Sequence, residues 1–405
     1  MNVEAWITGI GLVSSLGEGL DAHWHAMAEV EHPAPVVDRA RFAPIPVHPL
    51  APLDLDKQIP KRGDQRQMEP WQRIGTYAAG LALADAEIAG EAEILARTGM
   101  IVAAGGGERD IDVDSQILAG IEQAPAPEVF LNERLVNDLR PTLFLAQLPN
   151  LLAGNISIVH KVTGSSRTFM GEEAAGVSAV EIALKRIAAG QGDIFLVGAA
   201  YNAERKDMLL NAAFGRLLWT GDDRSVWARA EGEGGMVLGS LGAFLLIEAR
   251  PHAEARGRLP YARLASVTSD RGSRKPGEAR ARAARQLDTL RPRLAGKAVS
   301  VLSGATGVKR PTAEERDFLA ALHKAGQIDA IRAPASLIGA GFEATFPAVV
   351  ALGAMALRRK GFYRPYDTSG VEASASTAPE SLVLTCWGHW RGEGLALLES
   401  VEGIG

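Results

Sequence analysis

Two adjacent carboxylates, Glu172 and Glu173, interrupt the stretch GSSRTFMGEEAAG at residues 164–176. Phe169 and Met170 precede them. The run that follows, AAGVSAVEIALKRIAA, forms a broad helical face of small and apolar residues, with Glu181, Lys185 and Arg186 available for the other face. The pair therefore falls at a helix N-terminus, where unsatisfied backbone N–H groups and the positive end of the dipole favour negative charge. Two readings follow from the residues. In one, a glutamate caps its own helix while the other reaches solvent or a basic partner; in the other, Glu173 faces a substrate as a base or as an anchor for a positive group. A carboxylate here does not replace a thiol in stable acyl transfer, because its acyl adduct is an anhydride, far more labile than a thioester.

Other candidate chemistry is weaker. The glycines at 105–107 and between Gly9 and Gly17 lack the spacing of phosphate-cradling loops, so tight turns and close packing explain them and no nucleotide cofactor is implied. The eight histidines, His23, His25, His32, His48, His160, His252, His323 and His389, form no compact ligand set along the chain, and no metal is expected. The single cysteine, Cys386, excludes an internal disulfide and lies in an apolar strand-like run, LVLTCW, as a buried thiol.

The elements that must position the glutamates read as alternating strands and helices. VEAWITGIGLVSSLG gives a strand and turn, with a helix from near Gly19; MEPWQRIGTYAAGLALADAEIAG gives an alanine-rich helix with Pro70 in its first turn. TGMIVAAGGG reads as a buried strand, followed by a polar connection, and DIFLVGAA as another. The last third supplies strands at AVSVLSG, AIRAPAS and SLVLTCW and helices at TAEERDFLAALHKAG and TFPAVVALGAMAL. Similar spacing in both halves favours a duplicated, mixed α/β architecture of layered sheets and helices. The 405 residues, 47% of them hydrophobic, supply ample core. Lys and Arg total 43 against 48 Asp and Glu, and a net charge of -5 offers no general attraction to nucleic acid. Apolar runs fall short of the roughly 20 residues of a transmembrane helix, and with no basic leader the expected location is cytoplasmic.

Three segments carry a resemblance. VEAWITGIGLVSSLG, GSSRTFMGEEAAGVSAVEIALKRIAAGQGDIFLVGAA and EGEGGMVLGSLGAFLLIEARPHAEARGRLPYARLASV are similar, in order and separation, to the opening strand, nucleophile elbow and glycine-rich strand pair of the β-ketoacyl-acyl carrier protein synthase family, thiolase-like and KAS II-like. The resemblance implies a thiolase-like duplicated five-layer α-β-α-β-α fold, with an N-terminal half over 1–250 and a C-terminal half over 251–405, assembled as a homo- or heterodimer. It also implies which chemistry is missing. The family's T-A-C nucleophile motif matches Gly171, Glu172 and Glu173. Its first histidine motif matches Leu302 to Val308 and puts Gly304 at the imidazole position. Its lysine-and-histidine motif matches Ala335 to Ala340 and puts Ala335 and Ala340 at those two positions. CWGHWRGEGLALL resembles the family's gate and final strand, with Gly388, His389 and Trp390 at the gate; with Phe169, Met170 and Glu172 they are the expected acyl-site residues.

Condensation needs a thiol for the covalent intermediate and imidazole donors for the enolate, and removing one such donor costs about 2.7–4 kcal/mol in a comparable transition state. The resemblance therefore implies a noncatalytic or weakly catalytic subunit of fatty-acid or polyketide biosynthesis, like a chain-length factor, that shapes an acyl cavity beside an active ketosynthase. Alternatives are a divergent acyltransferase or decarboxylase using Glu173, and a homodimeric acyl-binding protein. No intrinsic cofactor is expected; phosphopantetheine would arrive on an acyl carrier protein. The run RGSRKPGEARARAAR at 271–285 holds six basic residues against one acidic, and Arg280 and Arg282 are candidates for docking that acidic carrier. A solvated linker is the alternative for the same run.

Overall fold

The computed structural model describes residues 3–401 except 109, 139–144, 146 and 274. Ten strands carry the architecture: β1 (Ala5–Ser14), β2 (Gly99–Ala104), β3 (Ser166–Met170), β4 (Ile194–Tyr201), β5 (Leu241–Ala249), β6 (Ala262–Asp270), β7 (Val299–Ser303), β8 (Ile331–Arg332), β9 (Ser381–Trp387) and β10 (Glu393–Glu399). The longer helices are α1 (Pro70–Asp85), α2 (Ile111–Gln123), α3 (Pro127–Asn137), α4 (Leu151–His160), α5 (Glu173–Ala188), α6 (Lys206–Phe214), α7 (Glu278–Leu294), α8 (Lys309–Lys324) and α9 (Thr345–Arg359).

The strands run β3-β2-β4-β5-β1 through the first half and β6-β10-β9-β7-β8 through the second. Pairing from β1 outward is antiparallel, antiparallel, parallel, parallel, and from β6 outward it repeats in the same sequence. The halves therefore share one topology, and they join where β1 pairs antiparallel with β6, Ala5 opposite Leu264 and Ile7 opposite Ala262. The crossing from one half to the other falls between Ala249 and Ala262.

Three separate hydrophobic cores define the layers. One lies between the first half-sheet and the outer helices α1 and α4. A second, the largest, surrounds α5 and α9, which contact strands of both halves. The third lies between the second half-sheet and α7 and α8. Helix, sheet, helix, sheet and helix follow in order, the duplicated five-layer arrangement that the resemblance implies. The central strands are buried on both faces, so β1, β2 and β4 read as continuous apolar runs with no alternation. Glycines let α1 approach β1: a Cβ on Gly11 would stand 1.9 Å from the Ala78 carbonyl oxygen. Helix α1 begins at Pro70, and the Gln72 side chain accepts from the Glu69 N–H at 3.0 Å.

Several expectations need correction. The polar connection after Gly107 is largely helical, α2 and α3, because its apolar residues fall at helical spacing. The strand expected at AIRAPAS shrinks to Ile331–Arg332, since Pro334 starts a short helix over Ala335–Ile338. The arginine-rich run is not a linker throughout: from Glu278 it is α7, whose Ala279, Ala283 and Leu287 face the outer core. Arg274 lies outside the described residues.

Candidate functional site

Strand β3 ends at Met170, and Gly171, at φ +141, turns the chain into α5. That backbone conformation suits glycine alone among the common residues, and it delivers Glu172 to the N-cap position and Glu173 to the first helical one. Glu172 makes no cap hydrogen bond and is exposed. Glu173 is 1% exposed. Its partner comes from the hairpin joining β9 to β10: His389 Nδ1 lies 2.9 and 3.1 Å from the two carboxylate oxygens, and the His389 backbone N–H donates to Oε1 at 3.3 Å. The first sequence reading allows a basic partner for one glutamate without naming it, and His389 is that partner for Glu173. Burial works to raise the Glu173 pKa, but the His389 contacts outweigh it and hold the carboxyl below its ordinary value. Burial pushes Glu172 up, and the Glu173 charge adds to the shift while His389 and Arg391 oppose it.

The hairpin is pinned at both ends. Gly388 N–H donates to the Gly392 carbonyl at 3.0 Å, and Gly392 adopts φ +95. Trp390 projects from its tip, 66% exposed. The His389 ring meets Phe342 edge to face at 5.4 Å, and Phe342 meets Tyr201 at 5.2 Å. Phe342 is a non-glycine residue at φ +41, a strained conformation held by the packing of its loop against α5, where a Cβ on Gly176 would stand 2.3 Å from the Glu343 carbonyl oxygen.

A cavity of about 730 Å³ opens beside this cluster. Met170, Glu172, His389 and Trp390 line it, joined by Gly105 and Gly106, which the sequence reading explains as tight turns, and by Asn211, Phe214, Phe342 and Glu343, which it does not single out. Glu343 is the most informative of these. It is buried, accepts from the Gly105 N–H at 2.7 Å, and burial pushes its pKa up to about 8 against the pull of the Gly105 N–H and Arg205. At neutral pH the group is therefore mostly the neutral acid. A lone carboxyl in the apolar run GFEATFPAVVALGAM was the available signal.

Other expected residues are more dispersed. Phe169 is half-buried against the central core, Gly304 follows β7, Ala335 packs in the outer core, and Ala340 packs in the central one. None of these four lines the cavity. Gly304 has no room for a side chain, since a Cβ there would stand 2.8 Å from the Thr385 carbonyl oxygen. Arg282 is not available for docking: it is 7% exposed, and its guanidinium bonds the buried Glu393 carboxylate at 2.5 and 3.3 Å. Alternate helical residues face opposite ways, so Arg280 of the same run is exposed. Cys386 is buried in β9. No metal ligand set was visible along the chain, yet the fold brings ligand atoms of Glu172, Glu173 and His389 within 4.8 Å of one another.

Residues 4–252 match the family model described as the β-ketoacyl synthase N-terminal domain. The chain belongs to the β-ketoacyl synthase family. It is 25% identical over 268 residues to a 3-oxoacyl-[acyl-carrier-protein] synthase 2 of Vibrio harveyi, a match that covers 64% of this chain and 60% of that protein. The chain thus spans about three-fifths of that relative's length. Two solved structures superpose over nearly the whole chain. A β-ketoacyl synthase from Burkholderia phymatum has a TM-score of 0.80 at 19% identity, covering 99% of this chain and 100% of that one. The ishigamide ketosynthase/chain length factor has a TM-score of 0.78 at 18% identity, with the same coverage. At these identities the likeness is one of fold. Among the described residues of this synthase-family chain, no helix is long and apolar enough to cross a membrane.

Proposed function

We propose that this chain is a non-condensing β-ketoacyl-synthase-like subunit of fatty-acid or polyketide biosynthesis, which pairs with an active ketosynthase and shapes part of its acyl cavity. The observation that carries the reading is the state of the nucleophile position. Glu173 is buried and held by three contacts from His389, so its carboxylate serves as the anchor of a closed hairpin. The matched positions Gly304, Ala335 and Ala340 offer no imidazole or ammonium to stabilise an enolate. What survives is a sheet edge, an exposed apolar rim formed by Met170 and Phe214, and a cavity: the parts a subunit needs to complete a partner's site. The ketosynthase/chain length factor neighbour supports this assignment by fold. Phosphopantetheine on an acyl carrier protein would then deliver substrate to the partner, with no cofactor held by this chain.

One observation favours a second reading. Glu343, a neutral acid lining the cavity, is suited to give a proton to an enolate, which points to decarboxylation of a malonyl group without condensation. One experiment tests both. The purified chain is incubated with acyl and malonyl carrier protein, alone and with the ketosynthase that co-purifies with it, and the carrier is read by intact mass. The subunit reading expects no 3-oxoacyl product from the chain alone and a stable complex with the ketosynthase. Acetyl carrier from the chain alone selects the second reading. Robust condensation by the chain alone overturns both.

A further inference from the structure

We propose that Glu172, Glu173 and His389 form a binding site for one divalent transition-metal ion, of the zinc and manganese class, at the inner end of the cavity. The three residues come from two elements that meet only in the fold: the elbow before α5 and the hairpin between β9 and β10. They offer two carboxylates and one imidazole, a mixed oxygen and nitrogen set that suits zinc or manganese better than magnesium.

The spacing is close to that of an ion's donors, with the ion taking the place of the proton that His389 shares with Glu173. Ligand bonds of about 2.1 Å place neighbouring donors of an octahedral ion about 3.0 Å apart and opposite donors about 4.2 Å apart. His389 Nδ1 stands 2.9 and 3.1 Å from the Glu173 oxygens, the separation of neighbouring donors. Glu172 completes a set in which one ligand atom from each residue lies within 4.8 Å of the others, and this exposed side chain can turn toward the other two. Backbone geometry fixes the other two: Glu173 is held by α5, and His389 by the glycine-flanked hairpin and the edge of the Phe342 ring.

The local charge also calls for a cation. Glu172 and Glu173 are adjacent carboxylates, with Arg391 as the nearby cation and His389, neutral when it ligates, as the third donor. In a half-enclosed apolar recess such a cluster concentrates negative potential. Glu172 and His389 both line the cavity, so the remaining positions of the ion face its interior and are open to water or to a carbonyl or carboxylate oxygen of a bound acyl group. A Lewis acid there would supply the oxygen-binding charge that Gly304 and Ala340 lack. The site is independent of which partner the chain takes.

The test uses the full chain without a histidine tag, stripped with chelator, and titrated with Zn²⁺, Mn²⁺ and Mg²⁺ by calorimetry, with Co²⁺ absorption as a ligand-field probe. The expected result is one saturable site for Zn²⁺ or Mn²⁺, with Mg²⁺ binding at least tenfold weaker, and visible Co²⁺ bands. Affinity should fall at least tenfold in His389→Ala and in Glu172→Gln, and stay unchanged in Glu181→Gln, a half-buried control farther along α5 that pairs with Lys185 and Ser269. Glu172 is exposed, so Glu172→Gln should melt with the parent protein and keep the test valid if His389→Ala loosens the hairpin. Absence of saturable binding, equal binding of Mg²⁺, or full affinity retained in Glu172→Gln would each overturn the proposal.

Discussion

At the scale of single residues, the proposed match of Glu173 to the family's nucleophile is open to a direct test. A thiol there would present sulfur to an acyl thioester; Glu173 turns a charged group into the interior and satisfies it with His389. Glu173→Cys should therefore gain a slow acyl adduct, visible as a mass shift on incubation with acyl carrier protein, yet yield no 3-oxoacyl product. Adding an imidazole at Gly304 would not complete the site, because the Thr385 carbonyl already occupies the space of a Cβ. A 3-oxoacyl product from the single variant would refute this account. A second buried carboxylate governs acid stability. Glu248 is fully buried and accepts from Thr8, from His252 at 2.6 Å and from Arg256 at 3.0 Å. Burial works to raise its pKa, but these partners bring it down to about 2 from an ordinary 4.5. A depressed acid contributes stability above its unfolded pKa and loses it as pH falls through the folded one. The shift corresponds to about 3 kcal/mol. Glu248→Gln should accordingly lower the melting temperature at pH 7, with the gap to the parent closing between about pH 4.5 and pH 2. A gap that stayed constant across that range would show that the carboxylate charge is not the source.

At the scale of elements, most of the strands and helices were legible because their apolar periods are long and unbroken. The AAGVSAVEIALKRIAA helix, the alanine-rich α1 and the buried strands β2, β4 and β9 each declare themselves locally. The elbow was legible too, through a glycine set between strand and helix residues. What local pattern does not carry is long-range pairing: His389 lies 216 positions from Glu173, and no spacing rule links them. Phe342 and Glu343 escaped for the same reason, being aimed at the cavity by a strained loop whose geometry no periodicity encodes. The basic run was misleading in another way, since its charges suggest solvent while its alanines specify a packed helix. Arg282 and Arg280 separate these roles. Arg282→Ala removes the guanidinium from the buried Glu393 carboxylate and should cost about 3–5 kcal/mol, whereas Arg280→Glu, at an exposed helix position, should change stability by less than about 0.5 kcal/mol. Urea unfolding of the two variants checks this; equal losses would mean that the buried pair has no special weight. If Arg280 docks an acidic carrier, Arg280→Glu should weaken carrier binding at low salt while leaving the melt intact.

At the scale of the whole molecule, the duplicated sheet leaves two outer edges, and they differ. The β8 edge is a two-residue strand, buried and flanked by a short helix, with little ladder to offer. The β3 edge is longer and partly exposed, and it borders the exposed Met170. Uncovered edges of this kind are pairing sites. Direction along β3 identifies which groups are available. Ser165 accepts from the Met100 N–H at 2.8 Å, so Ser165 faces β2, and by strand alternation Arg167 and Phe169 face β2 while Thr168 points its N–H and carbonyl outward. A proline at 168 removes an outward donor and leaves the ladder to β2 in place. Thr168→Pro should therefore fold, with near-parental far-ultraviolet dichroism, but weaken by at least tenfold whatever association the parent chain makes with the proposed ketosynthase partner or a second copy of itself, read by sedimentation or light scattering. Retained association would place the partner on another face, and the cavity rim at Phe214 and Trp390 would then be the next surface to probe. Loss of folding together with association would be separated by Met170→Asp, which puts charge on the exposed end of the same strand without touching any backbone hydrogen bond.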